Sequence, residues 1–264
     1  KEVAIITVED ALTKKYSTSD TKVEILPKDL IHVIYTSGST GAPKGVLNTH
    51  SGLFNRLLWM RDDLVINQDD IILQKTPYTF DVSVWELLMP LATGCKLIFA
   101  VPDGHKDPVY LEKMIKSMGI TIIHFVPSML GVFLKDLKQF SKEENSLRHL
   151  VCSGEALPSI MVEDFKKKLP DTSIHNYYGP TEASIDVTSI DLTEVDTFTD
   201  GVSIGRSVNN TQIYIADKNL SLQPVGVFGE LLIGGTQVAR GYLNQEQLTK
   251  QKFVHNPFSD NGDS

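Results

Sequence analysis

The sequence predicts an α/β protein, a mainly parallel sheet covered by helices that runs on into the start of a β-rich subdomain. Three observations carry that expectation. Between residues 30 and 178, apolar runs of strand length alternate with segments of helical period. Such alternation requires right-handed crossovers and a parallel sheet buried on both faces. After residue 190 the pattern changes to paired strand-like runs without helices between them. The chain has 264 residues, 41% hydrophobic and 22% charged. It is long enough to bury a sizeable core and ordinary for a globular protein.

The elements follow in order. Residues 8–28 are polar and turn-rich and read as a loop or short helix. LIHVIY (30–35) reads as a strand, followed by a glycine-rich loop and a helix. Strands are then expected at 71–75, 96–101, 120–126, 149–152 and 173–178, with helices at 84–92, 107–117, 128–137 and 159–169. The helix at 107–117 shows a stripe of Val109, Met114 and Met118, with Leu111 and Ile115 beside it. Pro158 and Ser159 suit the first turn of the last helix. TQIYIAD and GVFGELLIGG, joined through a turn at Lys218 and Asn219, predict antiparallel strands. The expected organisation is therefore an α/β part over 1–190 and a β-rich part over 191–264, with no internal repeat.

The formal net charge is −8, with both signs scattered along the chain. That argues against a nucleic-acid or membrane-surface partner, and the run Lys166, Lys167, Lys168 reads as a solvated helix face. A small anion remains compatible, because backbone amides and a few placed cations hold one locally. Cys95 and Cys152 lie in apolar surroundings and are expected to be buried free thiols, which fits a reducing cytoplasm. No run reaches 18 apolar residues and the start carries no signal pattern, so a cytoplasmic protein is expected.

The densest chemistry lies in IYTSGSTGAPKGVLNTH (34–50). Gly38, Gly41 and Gly45 are interleaved with Thr36, Ser37, Ser39, Thr40 and Lys44. Glycines let a backbone approach a phosphate with its amides inward, hydroxyls donate hydrogen bonds, and the lysine adds a point charge. The stretch is not a Walker A loop, since Lys44 is neither preceded by glycine nor followed by Ser or Thr. It resembles instead the phosphate loop of the adenylate-forming superfamily, which includes acyl-CoA synthetases, luciferases and the adenylation domains of nonribosomal peptide synthetases.

Further stretches of that family fall in the expected order. FDVSVWELLMPLATG (80–94) resembles the amino-acid-pocket motif of the peptide-synthetase branch, in which the aspartate matching Asp81 pairs with the substrate ammonium. Without the resemblance, a helix cap would be the commoner role for Asp81. NYYGPTEASID (176–186) resembles the nucleotide motif. That match implies stacking of Tyr178 on adenine, contacts from Gly179 and Thr181 to the nucleotide, and Mg²⁺ held by Glu182, a hard oxygen for a hard cation. Gly154 matches a glycine lying against the adenine. GELLIGGTQVARGYLNQEQLTKQKF (229–253) resembles a later motif, where Gly234, Gly235 and Gly241 read as turn and packing positions and Arg240 as a surface ion-pair residue.

The resemblance implies attack of an amino-acid carboxylate on the α-phosphorus of ATP, then transfer to phosphopantetheine on a carrier domain. Lys44, Thr40 and Glu182 would be the catalytic groups, beside a peptidyl carrier and a condensation domain as partners. The implied substrate pocket is Asp81, Val82, Trp85, His124, Val151, Ser153, Tyr177, Ile185 and Asp186, which is similar to a serine-type pocket. Tyr177 departs from it, an apolar residue being usual there. His124 and Asp186 are expected to read the hydroxyl; His124 also reads as an ordinary strand histidine. The family's ribose-binding aspartate and C-terminal lysine domain have no match here, so the chain is expected to be a fragment inactive alone. The competing functions are an acyl- or aryl-CoA synthetase, whose acids have no ammonium for Asp81, and a non-catalytic nucleotide- or carrier-binding fragment.

Overall fold

A computed structural model describes residues 22–37, 41–137, 140–141, 144–195, 197–198 and 201–258, with residues 7, 9, 12 and 19 singly. Most of the expected loop or helix at 8–28 lies outside the described residues, as do Gly38, Ser39 and Thr40.

The first strand, β1 (Leu30–Thr36), pairs antiparallel with β2 (Lys44–Thr49), and α1 (His50–Asp63) follows. The glycine-rich loop therefore joins two strands of a hairpin, where the sequence suggested a strand and a helix. The six residues of β2 are too few for periodicity to separate the two. Thr49 ends the strand and caps α1, its Oγ1 accepting from the Gly52 amide at 3.3 Å.

From there the chain runs through β3 (Ile71–Gln74), α2 (Val82–Thr93), β4 (Lys96–Phe99), α3 (Pro108–Met118), β5 (Ile122–Phe125), α4 (Pro127–Asp136), β6 (His149–Cys152), α5 (Ser159–Lys168), β7 (Ser173–Tyr178), β8 (Thr188–Asp191) and β9 (Arg206–Ser207). These seven strands form one sheet in the order β4-β3-β5-β6-β7-β8-β9. The first five are parallel, and β8 and β9 add antiparallel at one edge. The large sheet thus extends past residue 190, where the β-rich part was expected to begin. A separate antiparallel pair, β10 (Thr211–Ala216) and β11 (Glu230–Gly235), and α6 (Glu246–Lys252) complete the described chain.

Alternate residues of the central strands enter two different cores. Ile72, Ile122, Val151 and Tyr177 pack against Leu53, Leu57 and Met60 of α1 and Val82, Trp85 and Met89 of α2. Leu73, Ile123, Phe125, Leu150, Cys152 and Ile174 pack against side chains of α3, α4 and α5. This period-2 division produces a three-layer α/β/α body. The chain steps outward from β3 to β4 and then returns across β3 to β5, and such a reversal leaves a crevice at the carboxyl ends of the strands.

Two local expectations change. On α3 the buried residues are Leu111 and Ile115, whereas Val109 is 70% exposed. Asp107 caps this helix by accepting from the Val109 and Tyr110 amides, which sets Val109 in an outward-facing first turn. The lysines of α5 are not all solvated: Lys166 donates to the Val195 carbonyl at 2.7 Å, and Lys168 donates to the Leu134 carbonyl and to Asp164. Both cysteines are buried and free, as expected.

Asp70, 1% exposed, joins three strands at the opposite end of the sheet. It accepts from the Asn67 amide at 3.0 Å, from Thr121 Oγ1 at 2.8 Å and from Arg148 at 2.6 and 2.8 Å.

Candidate active site

Lys44 opens β2 and reaches across to Glu182, with which it forms an ion pair. Tyr242 completes the cluster, its hydroxyl lying 3.1 Å from Lys44 Nζ and donating to Glu182 Oε1 at 2.7 Å. The Lys44 ammonium also stands 4.7 Å from the centroid of the Tyr242 ring. Burial works against the Glu182 charge, but the bonds from Lys44 and Tyr242 outweigh it and lower its pKa. Burial also opposes the Lys44 charge, and the bonds to Glu182 and Tyr242 leave its pKa raised. Both groups are therefore ionised at neutral pH. Residues 240–243 run along β2, with backbone bonds from Leu47 to Gly241 and from Leu243 to Gly45, and these bonds fix Tyr242.

Of the remaining loop residues, Thr36 ends β1 with a buried Oγ1 that finds no partner among the described residues. Ser37 is exposed, and Gly41 has a φ of +83° with open space where a side chain would stand.

The carboxyl ends of the strands carry the next group. Tyr178 closes β7 and is 38% exposed, leaving its ring open to a flat partner. Gly179 has a different reason to be glycine: a Cβ there would lie 2.4 Å from the Ile185 carbonyl oxygen. Thr181 begins a short 3₁₀ turn, and its carbonyl accepts from Asn48 at 3.0 Å. Gly154 is exposed just beyond β6 with a φ of +87°. Gly235 and Gly241 are packing positions, where a Cβ would lie 2.3 Å from the Asn210 carbonyl oxygen and 2.4 Å from Thr249 respectively; Gly234 is tight against Asn256 at 3.1 Å. Arg240 donates to the Lys28 carbonyl and makes no ion pair among the described residues.

The nine pocket positions converge. Val82, Trp85, Val151, Tyr177 and Ile185 belong to one buried cluster. His124 on β5 and Ser153, just past the end of the adjacent β6, have Nε2 and Oγ 2.9 Å apart and both side chains buried. Burial, then the charges of Lys75 and Arg56, hold the His124 pKa well below its ordinary value, so the imidazole is neutral. Its Nδ1 is buried without a partner among the described residues. Asp81 is the N-cap residue of α2, but its side chain makes no capping bond to the first turn; the nearby Val82 amide interacts with its carboxylate. Burial pushes its carboxyl up to about 6, the Asp186 charge adds to the rise, and an interaction with Thr181 opposes it.

Two pocket residues are already engaged. The Tyr177 hydroxyl donates to Asp63 at 3.0 Å, so this side chain presents a ring and no free donor. Asp186 is ion-paired with Arg56, both fully or almost fully buried. Both guanidinium bonds fall on Oδ2, so Oδ1 is the oxygen left to meet the substrate hydroxyl expected from the sequence. The backbone leading to it is strained: Ser184 has a φ of +53° and Ile185 a φ of +82°, rare for a β-branched residue. Gln237 holds this turn by donating to the Asp186 carbonyl at 2.8 Å and the Ala183 carbonyl at 3.2 Å, while Ser184 Oγ donates to the Gln237 carbonyl at 3.0 Å.

Sequence reasoning missed Arg56, Tyr242, Gln237 and Lys75. Lys75 is buried with its amine 4.4 Å from the Phe125 ring centroid, and burial lowers its pKa to about 8 against the pull of Glu86. Arg56 alone had a local signal, a charged residue among the apolar side chains of LFNRLLWM.

Comparison with known proteins gives the family. The family model described as AMP-binding enzyme matches residues 2–243. Zwittermicin A synthase ZmaJ of Bacillus cereus is 46% identical over 233 residues, 86% of this chain and 44% of that protein. Tyrocidine synthase 3 of Brevibacillus parabrevis is 41% identical over 249 residues, 94% of this chain and 4% of that protein. Among solved structures, the nonribosomal peptide synthetase FmoA3 superposes with a TM-score of 0.82 at 27% identity, over 90% of this chain and 25% of that one. The NpsA N-terminal subdomain of Klebsiella oxytoca, in complex with 3-hydroxybenzoyl-AMSN, gives a TM-score of 0.79 at 25% identity, over 93% of this chain and 59% of that one. The chain spans less than half the length of these curated relatives. It belongs to the AMP-binding enzyme family, and its relatives there are the adenylation domains of nonribosomal peptide synthetases.

Proposed function

We propose that the protein carrying this chain activates L-serine, by joining its carboxylate to AMP, for loading onto a phosphopantetheinyl carrier. The observation that carries the reading is Asp81, a largely buried carboxylate at the start of α2 beside the cluster of Val82, Trp85, Val151, Tyr177 and Ile185, together with the neutral, buried His124–Ser153 pair. A carboxylate in such a site suits a substrate ammonium, because an unpaired charge there is costly. A neutral imidazole with a free ring nitrogen suits a hydroxyl. FmoA3 has also been solved in an α-methyl-L-serine-AMP bound form, which supports a small hydroxylated amino acid. An aryl- or acyl-CoA synthetase would leave Asp81 without its partner.

In the reaction, a carboxylate oxygen of the amino acid attacks the α-phosphorus, and the bond from that phosphorus to the departing pyrophosphate breaks. The nucleophile is ionised at neutral pH, so no general base is required, and the protein's task is alignment and charge neutralisation. Lys44 and the amides and hydroxyls of Thr36, Ser37, Gly38, Ser39, Thr40 and Gly41 would face the leaving pyrophosphate. Tyr178 offers its open ring to adenine beside Gly154, and Gly179 and Thr181 follow it toward the phosphates. Glu182 fits a magnesium ion: it is one partly exposed, ionised carboxylate, and only Oε1 is engaged by Lys44 and Tyr242. When bound, that ion would neutralise phosphate charge.

Amino-acid-dependent ATP–pyrophosphate exchange by the full-length protein tests the reading. Serine is expected to support exchange well and alanine poorly, since a pocket built to bond a hydroxyl penalises its loss by up to about 10⁴-fold. His124→Ala should erode that ratio selectively. A preference for a large apolar side chain, or for an aryl acid without an amine, would overturn it.

A further inference from the structure

Arg56 lies on α1, fully buried, with its guanidinium carbon 5.0 Å from the ring centroid of Trp59 and 5.5 Å from that of Tyr177. Its Nε, at 3.2 Å, and its Nη2 both donate to Asp186 Oδ2. Nη1 is buried and has no partner among the described residues, as is true of His124 Nδ1. Burying two ions is costly, and a well-packed apolar pair of similar volume serves stability as well or better. The pair therefore calls for another role. Its place is informative, because the Arg56 charge acts on His124 and the Asp186 charge acts on Asp81. The pair also packs into the same buried cluster, since the Arg56 guanidinium stands over Trp59 and Tyr177, which pack with Val82, Trp85 and Val151.

We propose that the Arg56–Asp186 pair is the charge filter of the amino-acid pocket, and that Arg56 is a specificity-determining residue. Each ion cancels the other, so the pair adds no net charge to the wall and the carboxylate left to meet a substrate is Asp81; Lys75, the other cation that acts on His124, is itself drawn toward Glu86. An uncharged side chain enters a neutral wall. A carboxylate side chain meets Asp186, and an ammonium side chain meets Arg56. Removing one ion leaves the other exposed to the substrate, which then selects the opposite charge. The inference rests on the amino-acid-activating reading above.

The test is exchange by the full-length protein with serine, aspartate and 2,3-diaminopropionate. The unaltered protein should favour serine over either charged analogue by at least about 100-fold. Asp186→Asn, which keeps the shape and an acceptor for Arg56, should raise the aspartate-to-serine ratio at least about tenfold. Arg56→Met should raise the diaminopropionate-to-serine ratio by a similar factor, and Arg56→Met with Asp186→Leu should return both ratios toward their starting values. Where Arg56→Met fails to fold, the isosteric Asp186→Asn carries the test. Unchanged charge preference in a folded single variant that still exchanges with serine overturns the filter. A starting protein that prefers a charged amino acid overturns it too, while one that exchanges with no amino acid overturns the underlying reading instead.

Discussion

Asp81 must be ionised to hold a substrate ammonium, yet burial raises its carboxyl to about 6. A carboxylate shifted upward loses its charge as the pH falls through that value. KM for the amino acid should therefore be flat above about pH 6.5 and rise roughly tenfold per unit below about pH 5.5, with KM for ATP much less affected. A KM profile for the amino acid that stays flat down to pH 5 would remove Asp81 from ammonium binding. Asp81→Ala should abolish exchange with every amino acid alike. Lys44→Ala and Thr40→Ala should each lower exchange by about 10²–10³-fold through loss of a charge or donor at the leaving group, measured at saturating substrate. The pocket's residue types were legible in the sequence because motif spacing carries them. Their engagements were not: nothing near Asp186 or Tyr177 in the chain announces Arg56 or Asp63, which lie 130 and 114 residues away.

Tyr242 couples two elements, since it stands beside β2 and bonds both Lys44 and Glu182. Tyr242→Phe keeps the ring and removes both bonds. Bonds to charged groups are worth about 1.5–3 kcal/mol, so exchange should fall about tenfold or more. An unaltered rate would make Tyr242 a packing residue. Asp70 plays the corresponding part for the sheet. Burial raises its pKa, but the Asn67, Thr121 and Arg148 donors prevail and leave it lowered. Its contribution is therefore present above the ordinary carboxylate pKa and is lost as pH falls through the depressed value. Asp70→Ala should cost about 2–3 kcal/mol at pH 7, less than a fully buried pair because Arg148 is 41% exposed, and the deficit should shrink in acid. Urea melts at pH 7 and pH 3 decide this. The parallel strands and their helices were legible because burial on both faces leaves uninterrupted apolar runs. β2 was not, because its pairing with β1 and with residues 240–243 is decided by tertiary contacts rather than by its own six residues.

At the scale of the molecule, the alignment covers 44% of one matched relative and 4% of another. The purified 264-residue chain should form no detectable aminoacyl-AMP, because a transition state is bound only by a complete set of groups. Formation of serine-dependent AMP product by the chain alone would refute this. The strained turn at Ser184 and Ile185 has a different reach. It orients two pocket residues, and what holds it lies 51 residues further on, in Gln237. Substrate choice is therefore not portable as a cassette spanning Asp81 to Asp186. A chimera that imports those positions from a relative inherits their side chains but leaves the turn resting on the recipient's residue at 237. Swaps whose junction falls beyond Gln237 should keep the donor's selectivity, whereas swaps ending at Asp186 should give slow, indiscriminate enzymes wherever the recipient lacks that glutamine.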